Sequence, residues 1–162
     1  MIRPILLHPD SRLKKKAVNI ENIDDALINL AEDMMETMYD APGIGLAAPQ
    51  VFQSLRLVVI ESSFNERYPE APNIPLTVLV NPSIKYYGEE KVLGWEGCLS
   101  LKDLRGLVPR SKEITVEYFD REGNLVIIDA EGFLAVVLQH EIDHLDGKVF
   151  LDRMDDLSQL AY

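Results

Sequence analysis

The chain has 162 residues, 47% of them hydrophobic, which suits one domain with a real core, and no apolar run approaches the twenty residues of a membrane-spanning helix. A formal net charge of −11 excludes the basic face that nonspecific nucleic-acid binding needs; the acidity reads as a solvated surface. One cysteine permits no internal disulfide and fits a reducing compartment in which a thiolate can hold a metal.

In chain order, residues 1–16 contain only a short apolar patch at Ile5-Leu6-Leu7, too short for a signal peptide. A cytoplasmic protein that begins at its functional start is expected. Lys14-Lys15-Lys16, the one basic run, reads as a solvated turn. Residues 24–40 predict an amphipathic helix, because Leu27, Leu30, Ala31, Met34, Met35 and Met38 recur at helical spacing and Asn22 or Asp24 can cap it. The Met-rich stripe reads as core. Gly43-Ile44-Gly45, after Pro42, reads on its own residues as a connecting loop with freedom for close backbone approach.

β-branched runs predict strands at 55–60 and 76–80, separated by a polar surface loop at 61–75 with three prolines. Further strand-like segments follow at 83–87, 107–109, 112–119 and 125–130. Ile114, Val116 and Tyr118 alternate with Thr115 and Glu117, so one face is wet and the pairing is antiparallel. Arg121-Glu122-Gly123-Asn124 supplies a hairpin turn. Residues 131–145 predict a second helix, stopped by Gly147, and the tail from 152 to 162 offers a short final one. No internal repeat interrupts this order, so the expected fold is α+β, with antiparallel sheets packed around the second helix.

That helix carries His140-Glu141-Ile142-Asp143-His144, the H-E-x-x-H pattern. Two imidazoles four residues apart are about 40° apart around a helix axis and can reach one metal ion. Glu141, rotated by about 100°, belongs beside that ion as the base for a metal-bound water. Phe133, Val136 and Val137 share the face of His140, as ordinary core or as the wall of an apolar pocket.

A catalytic site of this kind takes a third protein ligand and leaves one position open. The third histidine of one protease pattern would fall where Phe150 stands, and no glutamate follows Glu141. Asp152, Asp155 and Asp156 lie in the short polar tail. The better candidates are His8 and Cys98. Cys98 follows a glycine that lets a backbone approach closely, and a thiolate is the softer, stronger ligand for a transition metal.

Three segments together resemble the peptide deformylases: Gly43-Ile44-Gly45-Leu46-Ala47-Ala48-Pro49-Gln50, Glu96-Gly97-Cys98-Leu99-Ser100 and Gln139-His140-Glu141-Ile142-Asp143-His144-Leu145. They stand in the family's order and at about its spacing. Leu7-His8-Pro9-Asp10 and Arg105-Gly106-Leu107-Val108-Pro109-Arg110 extend the resemblance over nearly the whole chain. It implies one divalent metal per chain held by Cys98, His140 and His144, ferrous iron, with nickel, cobalt or zinc able to replace it. It also implies hydrolysis of the formyl group from N-formylmethionyl nascent peptides. Glu141 would take a proton from the metal-bound water and give it to the leaving amine. The side-chain amide of Gln50 and the backbone N–H of Leu99 would hold the oxyanion.

By the same resemblance, the peptide lies extended along Ile44, Gly45 and Gly97. Its methionine enters a pocket of Ile44, Phe133, Val136 and Val137, and Arg105 contacts its main chain. Asp143 and Arg110 match family positions and are expected to pair as a brace behind the metal helix. A monomer in a bacterial-type cytoplasm, in transient contact with the ribosome and with neither nucleic acid nor membrane as a direct partner, completes the implication. Gly94 and Trp95 depart from the larger aliphatic or acidic residues common in the family, so one wall of the methionine pocket differs. Two other readings of the residues are a metallopeptidase that cleaves ordinary amides and a catalytically silent metal-binding module.

Overall fold

The structure, a computed structural model, describes residues 1–63 and 71–162. Its elements in chain order are helix α1 (Asp25–Asp40), strands β1 (Gly45–Ala47), β2 (Leu57–Ser62), β3 (Ile74–Tyr87), β4 (Lys91–Cys98), β5 (Leu101–Ser111), β6 (Glu113–Phe119) and β7 (Leu125–Glu131), helix α2 (Gly132–Leu145) and strand β8 (Leu160–Ala161). Two antiparallel sheets form, one ordered β1-β2-β3-β6-β7 and one ordered β4-β5-β8. The architecture is α+β. No helix among the described residues is long and apolar enough to cross a membrane.

Alternation along β2 shows how the larger sheet is used on both faces. Leu57 and Val59 pack with the α1 stripe of Leu27, Leu30, Ala31, Met34, Met35 and Met38. Val58 and Ile60 turn the other way, onto Leu138, Ile142 and Leu145 of α2. A strand buried on both sides is apolar at successive positions, as Leu57, Val58, Val59 and Ile60 are. Asp24 caps α1 by accepting the Leu27 N–H at 2.9 Å. A third core, of Cys98, Leu101, Val108, Val149 and Phe150, lies under the smaller sheet.

The C-terminal end of α2 is tied down from outside the helix. The Leu145 carbonyl accepts the Ala17 N–H at 2.8 Å and Arg56 Nη1 at 2.9 Å, while Arg56 Nη2 reaches Asp146 at 3.0 Å. Cations at a helix C-terminus complement its dipole. Gly147 ends the helix at φ +76°, and a Cβ there would run into the backbone carbonyl of Lys14.

Four expectations are corrected. The segments at 76–80 and 83–87 form one strand: Asn81, at φ +50°, makes a bulge and clamps the backbone of Ile20 with two 2.8 Å hydrogen bonds. Gly45 is the first residue of β1, paired with Ile60, rather than part of a connector. β4 was not expected, and β5 begins six residues before the short run at 107–109. The tail forms two 3₁₀ turns, Phe150–Arg153 and Leu157–Gln159, and then β8, because Leu160 and Ala161 find partners in Gly106 and Arg105 on the open edge of β5. Part of the polar stretch at 61–75 lies outside the described residues.

Substituting Gly147→Ala should cost more than about 1 kcal/mol, since φ is positive and the added methyl meets backbone rather than a flexible side chain. Urea denaturation of wild type and variant, with no change in m-value, checks it.

Candidate active site

Three elements deliver the polar residues. β4 brings Glu96 and Cys98 on one face, two residues apart as strand pleating requires. α2 brings His140, Glu141 and His144, all buried. β1 supplies backbone: a Cβ on Gly45 would stand 2.5 Å from Glu141 Oε2, so only glycine lets the strand pass this close to the carboxylate.

Cys98, His140 and His144 each offer a ligand atom within 4.8 Å of the others. Cys98 Sγ lies 3.3 Å from His144 Nε2. His140 presents Nδ1 to Glu96 Oε1 at 2.9 Å, which holds the neutral ring as the Nδ1–H tautomer and leaves Nε2 as its lone-pair donor. Burial opposes ionisation of the Cys98 thiol, but the charge of His144 and hydrogen bonds with His140 and His144 outweigh it and hold the thiol well below its usual range. A thiolate with two imidazoles is the donor set of a transition-metal site. Glu141 Oε1 is buried with no hydrogen-bond partner among the described residues. An orphaned carboxylate oxygen beside this donor set fits a site completed by a metal and a water, so the residues present fit the ion. His8, the other candidate ligand, is exposed and outside the cluster; only its backbone reaches the site's surroundings, donating to the Ser100 carbonyl at 2.8 Å.

Burial pushes the Glu141 carboxyl up, and Cys98 and Glu96 add to this against the opposing pull of His140 and His144. Gln50, 1% exposed, is held by a 3.0 Å bond from the Ala47 N–H to its Oε1. Its Nε2 donates to Ser100 Oγ at 3.0 Å and faces Cys98 Sγ at 3.6 Å.

Behind the cluster runs a chain of ion pairs. Arg110 grips Glu96 through two bonds of 2.9 and 3.0 Å and donates to Asp143 at 2.6 Å. Asp143 accepts two more bonds from Arg153, at 3.0 and 3.2 Å. The expected pair of Asp143 and Arg110 therefore exists, within a larger network. Burial disfavours the Glu96 carboxylate, but its bonds to His140 and Arg110 hold it below its ordinary range. Glu96 was missed as a functional residue, although its place two residues before Cys98 put it on the same strand face. Arg153 gave no signal.

The cluster opens onto a small cavity of about 60 Å³. Ile44, Gly45, Gln50, Gly97, Leu99, Phe133, Val136 and Val137 line it, together with Cys98, His140 and Glu141. Arg105 does not; it is exposed and stands opposite Gly97 in the β4–β5 ladder.

Replacing Arg110 by Met leaves Glu96 and Asp143 buried beside a lost partner and should cost about 3–5 kcal/mol. Arg153→Met, at a side chain 45% exposed, should cost less than about 1 kcal/mol. Chemical denaturation of the two metal-loaded variants checks the contrast, and equal losses would contradict it.

Comparison with known proteins agrees with this geometry. The family model described as Polypeptide deformylase matches residues 2–160. Peptide deformylase 2 of Nostoc sp. is 48% identical over 153 residues, covering 94% of this chain and 86% of that protein. Peptide deformylase 1 of Bordetella pertussis is 45% identical over 163 residues, covering 100% and 93%. Among solved structures, the Met-Ala-Ser-bound class I type b peptide deformylase from Acinetobacter baumannii superposes with a TM-score of 0.92 at 38% identity, covering 95% of this chain and 99% of that one. A family match over almost the full length, with relatives this similar and a thiolate–imidazole cluster at the cavity, places the chain in the polypeptide deformylase family of enzymes.

Proposed function

We propose that residues 1–162 form one catalytic domain that hydrolyses the formyl group from the N-terminal formylmethionine of nascent peptides, releasing formate. The observation that carries this reading is the buried Glu141, with an unpartnered oxygen, beside Cys98, His140 and His144 at the end of an apolar cavity. In it, α2 is the metal-binding helix, and Cys98, His140 and His144 hold one divalent ion. When bound, the ion acts as a Lewis acid that makes water a nucleophile at neutral pH and polarises the formyl oxygen.

Glu141 takes a proton from the water that attacks the formyl carbon. The raised carboxyl, matched to both giving and taking a proton, then passes it to the amine nitrogen as the C–N bond breaks. Formate and a free N-terminus result. Gln50 holds the oxyanion through Nε2; the 3.0 Å tie on its Oε1 fixes the amide, and its long contact to Cys98 leaves one N–H only weakly engaged. The backbone N–H of Leu99 is the second donor. Glu96, through its bond to Nδ1, orients His140 and raises its basicity.

Ile44, Phe133, Val136 and Val137 make the methionine pocket, and the peptide lies extended past Gly45 and Gly97. Arg105, outside the cavity, contacts the peptide main chain only beyond its mouth. Ferrous iron is the proposed ion: one thiolate with two imidazoles accepts iron, nickel, cobalt or zinc, and the family resemblance selects iron. The enzyme acts as a cytoplasmic monomer with transient access to the ribosome, where its substrate emerges. The Met-Ala-Ser bound to the Acinetobacter baumannii relative matches the end of such a substrate once the formyl group has gone.

Formate release from formyl-Met-Ala-Ser by anaerobically purified protein tests the reading, with acetyl-Met-Ala-Ser and unmodified peptide as controls. Only the formyl peptide should react. Glu141→Ala should lose about 10²–10⁴ in kcat with one metal per chain retained, and Gln50→Ala about 10²–10³. Formate from none of these peptides by the metal-loaded wild type would refute it. Stripping the metal with a chelator should abolish turnover, and ferrous iron added back without oxygen should restore more of it than zinc.

A further inference from the structure

The turn between β4 and β5 holds a hydroxyl to which the proposed mechanism gives no task. Ser100 is 1% exposed, as is Gln50, so the contact between them is shielded from bulk water. Gln50 Nε2 donates to Ser100 Oγ at 3.0 Å. The other end of the amide is fixed as well. The Ala47 N–H can only donate, so the atom it meets at 3.0 Å is Oε1, and the NH2 group faces the turn. That group carries two N–H donors. With Ser100 Oγ taking one, the other is left on the side of Cys98, whose Sγ is 3.6 Å from Nε2.

One short segment holds the backbones of both residues. The Leu6 N–H donates to the Gln50 carbonyl at 2.7 Å, and two residues on the His8 N–H donates to the Ser100 carbonyl at 2.8 Å. Gln50 follows β1 and Ser100 joins β4 to β5, so this segment fixes both ends of a contact that bridges two sides of the cavity. The last torsion of a glutamine is broad and roughly two-fold. A tie on Oε1 alone leaves the amide able to tilt, whereas ties at both ends hold its plane.

We propose that Ser100 is a positioning residue for the oxyanion donor: its Oγ accepts one N–H of Gln50 and so aims the other at the formyl oxygen. The proposal rests on the deformylase reading of the site. Ser100 itself lies behind Gln50 and does not line the cavity. Its effect belongs to the transition state, because only there does the formyl oxygen carry the charge that the aimed N–H meets.

Ser100→Ala should lower kcat for formate release from formyl-Met-Ala-Ser about three- to tenfold, with KM changed by less than about twofold and one metal per chain retained. In a Gln50→Ala background the same substitution should cost nothing further, whereas a merely structural serine would cost as much again. A crystal structure of the metal-loaded wild type with formate bound should show Gln50 Nε2 donating to Ser100 Oγ and to a formate oxygen at once. Additive losses in the double-mutant cycle, or an amide that leaves Ser100 to reach formate, would overturn the proposal while the deformylase reading stands. No formate release by the metal-loaded wild type would overturn both.

Discussion

One carboxylate, Glu96, is shared between an imidazole and a guanidinium, and the arrangement of the site depends on that sharing. It bonds His140 Nδ1 with one oxygen while Arg110 takes both. Isolated ions in a core cost several kcal/mol each, so every member must be matched. Arg110 and Arg153 balance Glu96 and Asp143. Cys98 and the two histidines stand beside this balanced set, and it is their donor atoms, all within 4.8 Å of one another, that point to a bound cation.

The network also joins parts of the chain that packing alone leaves in separate cores. Glu96 is on β4, where it pairs with Gly106, Arg110 is four residues further along β5, opposite Val92, and Asp143 is on α2. The larger sheet holds α2 from its other side through Leu138, Ile142 and Leu145, and Ala17 and Arg56 fix its C-terminal end. With packing on one face and ion pairs on another, α2 has little freedom to turn about its axis. A rotation that carried His140 away from Cys98 would have to break buried charged bonds. This rigidity is what a preorganised site requires.

Legibility in the sequence followed how locally each feature is determined. Both helices could be read, since the α1 stripe and the spacing of His140 and His144 are periodic within one element. So could the β6–β7 hairpin, where Gly123 takes φ +86° and Asp120 accepts the N–H groups of Glu122 and Asn124. β4 could not: Gly94 and Gly97 break its alternation and Glu96 is charged, so nothing short of the buried partners on α2 and β5 marks it as a strand. β8 has no signal of its own, because an edge of β5 makes it a strand. Between His8 and Cys98, the residues alone left both open; the fold groups Cys98 with His140 and His144 and leaves His8 on the surface.

The alternation that hid β4 also separates two tasks on one strand. Positions 96 and 98 face the buried network, where a change disturbs charge balance and the metal donors together. Position 95 faces outward at the mouth, and a Cβ at position 94 would enter open space. A substitution at position 95 alters the cavity's lining without removing a charge partner. The opposite holds for Gly45, where even a methyl group would reach Glu141: β1 forms the other side of the cavity directly against the proposed base, so that side has no comparable latitude.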